Sequence, residues 1–334
     1  MRHMKIFTII TAILAAISIY KIHSMDDVKK ITPDLVKFAK YVKEHNKRYS
    51  SPKEYLYRFG IFQQRLREVE TQNAQNDALY TTEINKFSDL SKEEFLTKYT
   101  GLRFSAERRN VQILETSGLQ QTGSIDWRTK GAVNPIKDQA QCGSCWAFSA
   151  IAATEATYAI AGNKLTSFSE QQLVDCSGSY GNHGCNGGWM DYAFTYLKAK
   201  GAQTEASYPY TARDGTCKYD AGKSVKAVGG FVDVAHNSAT QLQVAANKSV
   251  VSIAIDAYGI MQYKSGIFNG SCATALNHGV AVVGYGTEGT TPYWIVRNSW
   301  GTGWGDQGYF KLFRQADGQA GVCGMYLACS YATA

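Results

Sequence analysis

Beyond its first two dozen residues the chain changes hydrophobic rhythm twice. Val36, Phe38 and Tyr41, then Tyr55, Phe59, Phe62, Leu66 and Val69, recur mainly at intervals of three and four, the spacing of one face of a helix. That pattern predicts two amphipathic helices, about residues 33–46 and 52–79. A shorter helix is predicted from Ser91, where Ser91 and Glu94 make a Ser-x-x-Glu capping box. Residues 103–122 lose the pattern and read as an extended, protease-accessible linker. Gln141–Ala150, QCGSCWAFSA, then turns small and apolar, as the first turns of a buried helix would. Residues 145 to about 230 stay helix-rich, with Asp191–Lys200 again at helical spacing. From about 231, strand signals take over at Val250–Ile255, His278–Tyr285 and Pro292–Val296. The chain therefore reads as α+β, a helical front segment followed by a helical lobe and a β lobe.

The first residues add a route. Residues 4–20 place one lysine ahead of an uncharged apolar stretch from Ile6 to Tyr20, too short for a membrane span and of the form of a secretory signal peptide. Residues 1–24 are read as that signal, with cleavage between Ala16 and Ser24, and no membrane attachment is expected after its removal. With 334 residues, 44% hydrophobic and 19% charged, the remainder has room for two globular domains. The net charge of +7 resolves into 20 basic and 14 acidic residues up to Thr122, against 15 and 14 after it. The excess belongs to the front segment and forms no basic run interleaved with aromatics, so a nucleic-acid partner is not indicated.

The candidate chemistry lies in the second two-thirds. All eight cysteines, Cys142, Cys145, Cys176, Cys185, Cys217, Cys272, Cys323 and Cys329, follow the linker; in an oxidising compartment they favour disulfides, whose connectivity spacing alone does not give. Cys145 sits where the apolar helix begins, and the positive end of a helix favours a thiolate. The competing readings of Cys142 and Cys145 are a C-x-x-C redox pair or half a zinc site, but no second Cys or His pair at short spacing completes one. A thiol nucleophile needs a base, an orienter for that base and a donor to the oxyanion. Of six histidines, His278 opens the hydrophobic strand NHGVAVVGYG, 133 residues after Cys145. Asn298 follows the strand PYWIVR, where its amide oxygen would fix the tautomer of that ring, and Trp300 would cover the bond from water. Gln139, six residues before Cys145, is the candidate oxyanion donor.

These motifs carry a family resemblance. Cys-Gly-Ser-Cys-Trp at 142–146, the order Cys…His…Asn and the segment Ser124-Ile125-Asp126-Trp127-Arg128 resemble the papain family of cysteine proteases. In the front segment, Glu54, Arg58, Phe62, Val69 and Asn73 resemble the interspersed E-R-F-N-I-N pattern of cathepsin L-type propeptides, and Asn85, Phe87 and Asp89 the second propeptide motif. Arg65 stands where the first Asn of the pattern is expected, and Glu83 where a Gly is common.

The resemblance implies a papain-like two-lobe fold, with a helical left lobe of about 145–230 and a β-barrel-like right lobe of about 231–324, within a peptidase domain of 123–334. It implies a helical inhibitory prodomain, 25–102, and an activation linker, 103–122. It pairs Cys142 with Cys185, Cys176 with Cys217 and Cys272 with Cys323, leaving Cys145 free and Cys329 as a buried thiol. Gly187 and Gly188, within GCNGG, would admit substrate backbone, and Trp189, Met190, Ala254, Leu276, Gly279 and Ala328 would line an uncharged P2 pocket. Gly143 would line the S1 subsite and Trp304 the leaving-group side. Only nineteen residues separate Gly188 from Tyr208, so the cleft should lack an occluding insertion and serve an endopeptidase.

The implied protein is a secreted, lysosomal or vacuolar zymogen, monomeric, without cofactor or metal, acting on protein and peptide substrates and inhibited by its own propeptide. Loss of prodomain carboxylate charge on acidification would loosen that inhibition. Asn247 and Asn269 open glycosylation sequons. The readings weighed against it are a catalytically silent relative that binds, a prodomain acting as an inhibitor in trans, and an acyl transferase using the same residues.

Overall fold

The computed structural model describes residues 25–103, 114 and 123–334. The signal reading of 1–24 and most of the linker reading of 103–122 lie outside the described residues. Those residues form two compact units, one taking the chain up to Ala78 with Thr82–Ser91, the other Leu79–Thr81 with Lys92–Ala334. Residues 92–102, read from sequence as the end of the prodomain, and residue 103, read as the start of the linker, group in one compact unit with residues 123–334.

The first unit is a helical hairpin of α1 (Met25–Glu44) and α2 (Pro52–Asn73). α1 begins eight residues before the position expected at Pro33, continuing through that proline at the cost of one backbone hydrogen bond. α2 starts sharply because Ser51 accepts from the Glu54 N–H at 3.2 Å while Glu54 Oε2 accepts from the Ser50 N–H at 2.7 Å. It ends at Asn73 rather than near 79, since the Asn73 amide donates to Thr82 O at 2.8 Å and accepts from Thr82 N–H at 2.9 Å, folding the chain back. Between the helices Leu35, Phe38, Tyr41, Phe59, Phe62 and Leu66 make one apolar core. Val36, counted in the apolar pattern, faces solvent. At the core's polar edge the buried Asp89 carboxylate accepts from Tyr41 Oη, Tyr49 Oη and Lys47 Nζ at 2.7, 2.9 and 2.7 Å.

The second unit contains β1 (Tyr80–Thr82, its last residue grouped with the first unit), α3 (Lys92–Tyr99), β2 (Ile125–Asp126), α4 (Cys145–Ile160), α5 (Glu170–Cys176) and α6 (Met190–Lys200). It continues with β3 (Ala202–Gln203), β4 (Ser224–Val225), β5 (Gly230–Asp233), α7 (Ala239–Lys248), β6 (Val251–Ile255), β7 (Tyr263–Phe268), β8 (His278–Glu288), β9 (Thr291–Arg297), β10 (Tyr309–Phe313) and β11 (Cys329–Thr333). α4 is buried on every face from Cys145 to Thr157, as a helix of small and apolar residues must be, and packs against α6 on one side and β8 on the other. The main sheet runs β1-β7-β10-β9-β8-β6-β11-β5, with β2 also paired to β8. The expected barrel-like β lobe is an open sheet: among the described strands, β1 and β5 end the path without pairing to each other.

This register puts the candidate chemistry at one end of the sheet. His278 opens β8 opposite Ile255, the last residue of β6, and Ala281 pairs with Arg297, the last residue of β9. Asn298 therefore leaves the sheet at the end where His278 enters it. Cys142–Cys185, Cys176–Cys217 and Cys272–Cys323 are disulfides, and Cys145 and Cys329 are buried thiols.

Phe38 has no exposed surface and packs against five other aromatic rings of the hairpin. Replacing it with Ala should cost the hairpin about 3–5 kcal/mol. Amide exchange across α1 and α2 of the full chain should accelerate accordingly, and unaltered protection would contradict this account.

Candidate active site

Cys145 is the first residue of α4, fully buried, and the loop before it is pinned from several directions. The Cys142–Cys185 disulfide and the Gly143 N–H donating to Cys185 O at 2.9 Å fix one side. On the other, Tyr210 Oη donates to Gln139 O at 2.9 Å and lies 2.6 Å from Ser144 Oγ. Gln139 is itself fully buried: its Nε2 donates to Cys142 O at 2.9 Å and its Oε1 accepts from Ser299 Oγ at 2.7 Å. Ser299 thus links the Gln139 loop to the end of β9. Neither Ser299 nor Tyr210 was singled out from sequence, although Ser299 lies within the NSWGTGWG run.

His278 Nε2 lies 2.8 Å from Asn298 Oδ1, which also accepts from the Ser299 N–H at 2.8 Å. Because that N–H can only donate, the amide oxygen is the atom facing the ring, and Nε2 carries the hydrogen. His278 Nδ1 is buried and has no hydrogen-bond partner. Trp300 stacks on the imidazole with centroids 4.6 Å apart, and Trp304 and Phe95 abut Trp300 edge-on at 4.8 and 5.3 Å. Trp304 is anchored by donating to Met261 O at 3.1 Å.

Residues 99–103 run through the cleft. Trp300 Nε1 donates to Tyr99 O at 3.1 Å. Gly101 and Leu102 N–H both donate to Asn277 O, at 3.1 and 3.0 Å. Gly188 N–H donates to Gly101 O at 2.9 Å, and Arg103 N–H donates to Gly188 O at 3.0 Å, a parallel bridge centred on Leu102. The approach is too close for side chains. A Cβ on Gly101 would overlap the Gly143 backbone, and one on Gly187 would stand 2.7 Å from Gly101 O. The sequence reading starts the linker at 103, yet the Arg103 N–H donates to Gly188 O; the glycines at 101, 187 and 188 are the sequence signal for this close backbone approach.

Most of the expected pocket residues lie in or against one core cluster. Met190, Ala254 and Ala328 belong to the core, with Trp189, Leu276 and also Leu102 packed against it. A Cβ on Gly279 would lie 3.3 Å from Met190 Sδ and 3.3 Å from Cys145 O. The indole of Trp189 donates to Asp191 Oδ2 at 2.9 Å, and Ser330 Oγ donates to Asp191 Oδ1 at 2.7 Å, a clamp not foreseen from sequence.

Electrostatically the site differs from the expectation of a ready thiolate. Burial pushes the Cys145 thiol up to about 12, outweighing the backbone N–H groups of Gly279, Trp146, Cys145 and Gly101, which favour the thiolate. Burial likewise pushes His278 down to about 4, against the Asn298 hydrogen bond. At neutral pH burial thus favours the uncharged form of both groups, the Cys145 thiol and the neutral His278 imidazole.

Residues 122–333 match the model of the papain family cysteine proteases, and residues 38–95 that of the cathepsin propeptide inhibitor domain. The chain belongs to the papain family of cysteine proteases. It is 45% identical over 286 residues to thiol protease SEN102 of Hemerocallis sp., covering 82% of this chain and 79% of that protein. It is 41% identical to digestive cysteine proteinase 3 of Homarus americanus, over 84% and 89% of the two chains. Among solved structures it resembles digestive procathepsin L 3 of the Tenebrio molitor larval midgut, with a TM-score of 0.81 and 38% identity, over 90% and 99% of the two chains. This papain-family protease is made as a zymogen, a peptide-hydrolysing domain preceded by its own inhibitor domain.

The buried thiol makes the zymogen's reactivity predictable. Iodoacetamide at pH 7 should leave Cys145 unmodified in the intact zymogen and alkylate it once residues up to 103 have been removed, as read by peptide mass mapping. Equal labelling of both forms would show that burial does not suppress the thiolate.

Proposed function

We propose that the zymogen matures to an endopeptidase in which Cys145 is the nucleophile, His278 its base, Asn298 the orienter and Gln139 an oxyanion donor. The observation that carries this reading is the Asn298 bond to His278 Nε2, which leaves Nδ1 as the ring nitrogen available to a thiol. In the open cleft the Cys145 proton passes to His278, and the thiolate attacks the scissile carbonyl. Gln139 Nε2–H and the Cys145 N–H hold the oxyanion, and the C–N bond breaks as His278 protonates the leaving amine. Water deprotonated by His278 then attacks the thioester, and the carboxylic acid leaves as the thiol reforms.

Gly188 pairs with substrate main chain in this reading, as it pairs with residues 101–103 in the zymogen. Met190, Ala254, Ala328, Trp189, Leu276 and Gly279 offer no charge to a P2 side chain, so bulky apolar P2 residues are preferred. Only nineteen residues link Gly188 to Tyr208, which supports an open cleft. Maturation cuts within 103–122, the signal at 1–24 routes the chain into the secretory pathway toward a lysosome, a vacuole or the exterior, and the mature enzyme works as a monomer.

The matured enzyme should cleave a fluorogenic peptide with Leu or Phe at P2 at least tenfold better than one with Arg there. Cys145→Ala should lower the rate at least about a thousandfold, and Gln139→Ala about a hundredfold. A Cys145→Ala chain as active as the parent would remove the proposed nucleophile.

The same groups give the zymogen an acid trigger beyond the prodomain carboxylates. His278 is held near 4 in the occupied cleft and returns toward about 6.5 when open to water. Occupancy is therefore fully favoured above about 6.5 and weakens as pH falls toward 4, because the open form binds the proton more tightly. In Cys145→Ala zymogen, protection of the Gly101 and Leu102 amides, corrected for intrinsic exchange, should fall across that window; a flat profile would contradict the trigger.

The two sequons differ. Asn269 is exposed just after β7. Asn247, in the last turn of α7, donates to Gln243 O at 3.1 Å and Tyr285 Oη at 2.8 Å, and Ser249 is buried 3.0 Å from Thr157 Oγ1. Glycan is expected on Asn269 alone. For protein from a secreting eukaryotic host, Asn269→Gln should abolish the mass shift on glycosidase treatment and Asn247→Gln should not.

A further inference from the structure

Asn298 is held by its oxygen, which leaves its nitrogen to be accounted for. Oδ1 takes the His278 and Ser299 hydrogens, while Nδ2 is buried with no protein acceptor. Asn298 lines a cavity of about 10 Å³ together with Arg297, Ser299, Lys137 and Ala152. That is room for about one water molecule.

Two further groups point to what the cavity holds. Arg297 lies 3.7 Å, through its Nη1, from Glu155 Oε2, beyond direct hydrogen-bond reach. Glu155 Oε2 is itself buried without a hydrogen bond. Glu155 Oε1 is in contrast fully used, accepting from Lys137 Nζ at 3.2 Å and from the Phe168 N–H at 3.0 Å. Lys137 Nζ is spent as well, on Glu155, Phe168 O and both oxygens of Glu170. The buried Asn298 donor and the Arg297 guanidinium thus line one water-sized space together with Lys137, and the buried Glu155 acceptor stands behind them, 3.7 Å from Arg297 Nη1 and bonded through its other oxygen to Lys137, an arrangement that a bridging water resolves.

We propose that one buried water accepts from Asn298 Nδ2 and Arg297 Nη1 and donates to Glu155 Oε2. Arg297 and Glu155 are then positioning residues: they hold the Asn298 amide in the orientation that fixes the tautomer of His278. Glu155 lies on α4 ten residues after Cys145, so the bridge ties the helix bearing the nucleophile to the strand end bearing the orienter. The inference rests on the proposed role of Asn298.

The test compares matured parent, Ala152→Val, Ala152→Ser and Asn298→Ala enzymes, with a high-resolution crystal structure of the parent. Valine at 152 puts two methyl groups into the water's space, whereas serine adds only a hydroxyl. Ala152→Val should lower kcat about tenfold with KM within about twofold and an unchanged thermal midpoint. Ala152→Ser should stay within about twofold of the parent, and the parent should show one density peak within hydrogen-bond distance of Asn298 Nδ2. Parental kcat in Ala152→Val alongside a depressed Asn298→Ala, or a cavity without density, would overturn the water bridge while leaving the orienter intact. Parental kcat in Asn298→Ala would remove the orienter and the bridge together. The diffraction result decides even if Ala152→Val does not fold.

Discussion

The constraint on which the zymogen depends is that an ionisable thiol and an ionisable imidazole are both kept dry. Cys145 and His278 have no exposed surface, and desolvation disfavours the charged form of each. The helix N-terminus and four surrounding backbone N–H groups pull the thiol toward ionisation, yet burial wins and leaves it near 12. The imidazole moves the opposite way, to about 4, for the same reason. In this form burial therefore opposes ionisation of both groups. Gln139, Ser299, Asn298 and His278 already form a hydrogen-bonded chain, with Trp300 stacked on the imidazole, and what is missing is water around the thiol and the ring.

The segment that keeps the site dry does so mainly with backbone. Gly101 lies against the Gly143 main chain, and Gly187 and Gly188 leave room on the facing wall, so main-chain hydrogen bonds form from both sides of the cleft. Leu102 contributes apolar contact with the core cluster. A segment bound chiefly through main-chain groups uses donors and acceptors that every peptide carries.

Beneath the site sits a second electrostatic layer. Glu155 and Glu170 are buried against Lys137 and Arg297, an arrangement whose desolvation cost is offset only while each charge keeps its partners. Lys137 gathers acceptors from α4, from α5 and from Phe168 just before α5. The cluster therefore fixes the rear of the helix whose front carries Cys145. Truncating one member would leave an uncompensated charge in the interior, which is the costly way to break such a network.

Local chemistry carried a large part of this in the sequence. The three- and four-residue spacing of Phe38, Tyr55, Phe59, Phe62 and Leu66 specified the helical hairpin, because a helix must turn its apolar positions to one side. The small apolar run after Cys145 specified a buried helix with a thiol at its start, and the strand preceding Asn298 and the one opened by His278 were legible from their β-branched runs. The ends of elements were less legible: α1 overruns Pro33, and α2 stops at Asn73 through a side-chain pairing with Thr82 that lies nine residues away. Only the tertiary structure decided that residues 92–103 pack in one compact unit with residues 123–334, that the sheet stays open, and that burial pushes the thiol up. Periodicity and motif spacing record which groups a local backbone presents. Desolvation and close backbone approach depend on which distant segments pack over them, as Gly101 does over Gly143 and Gly188.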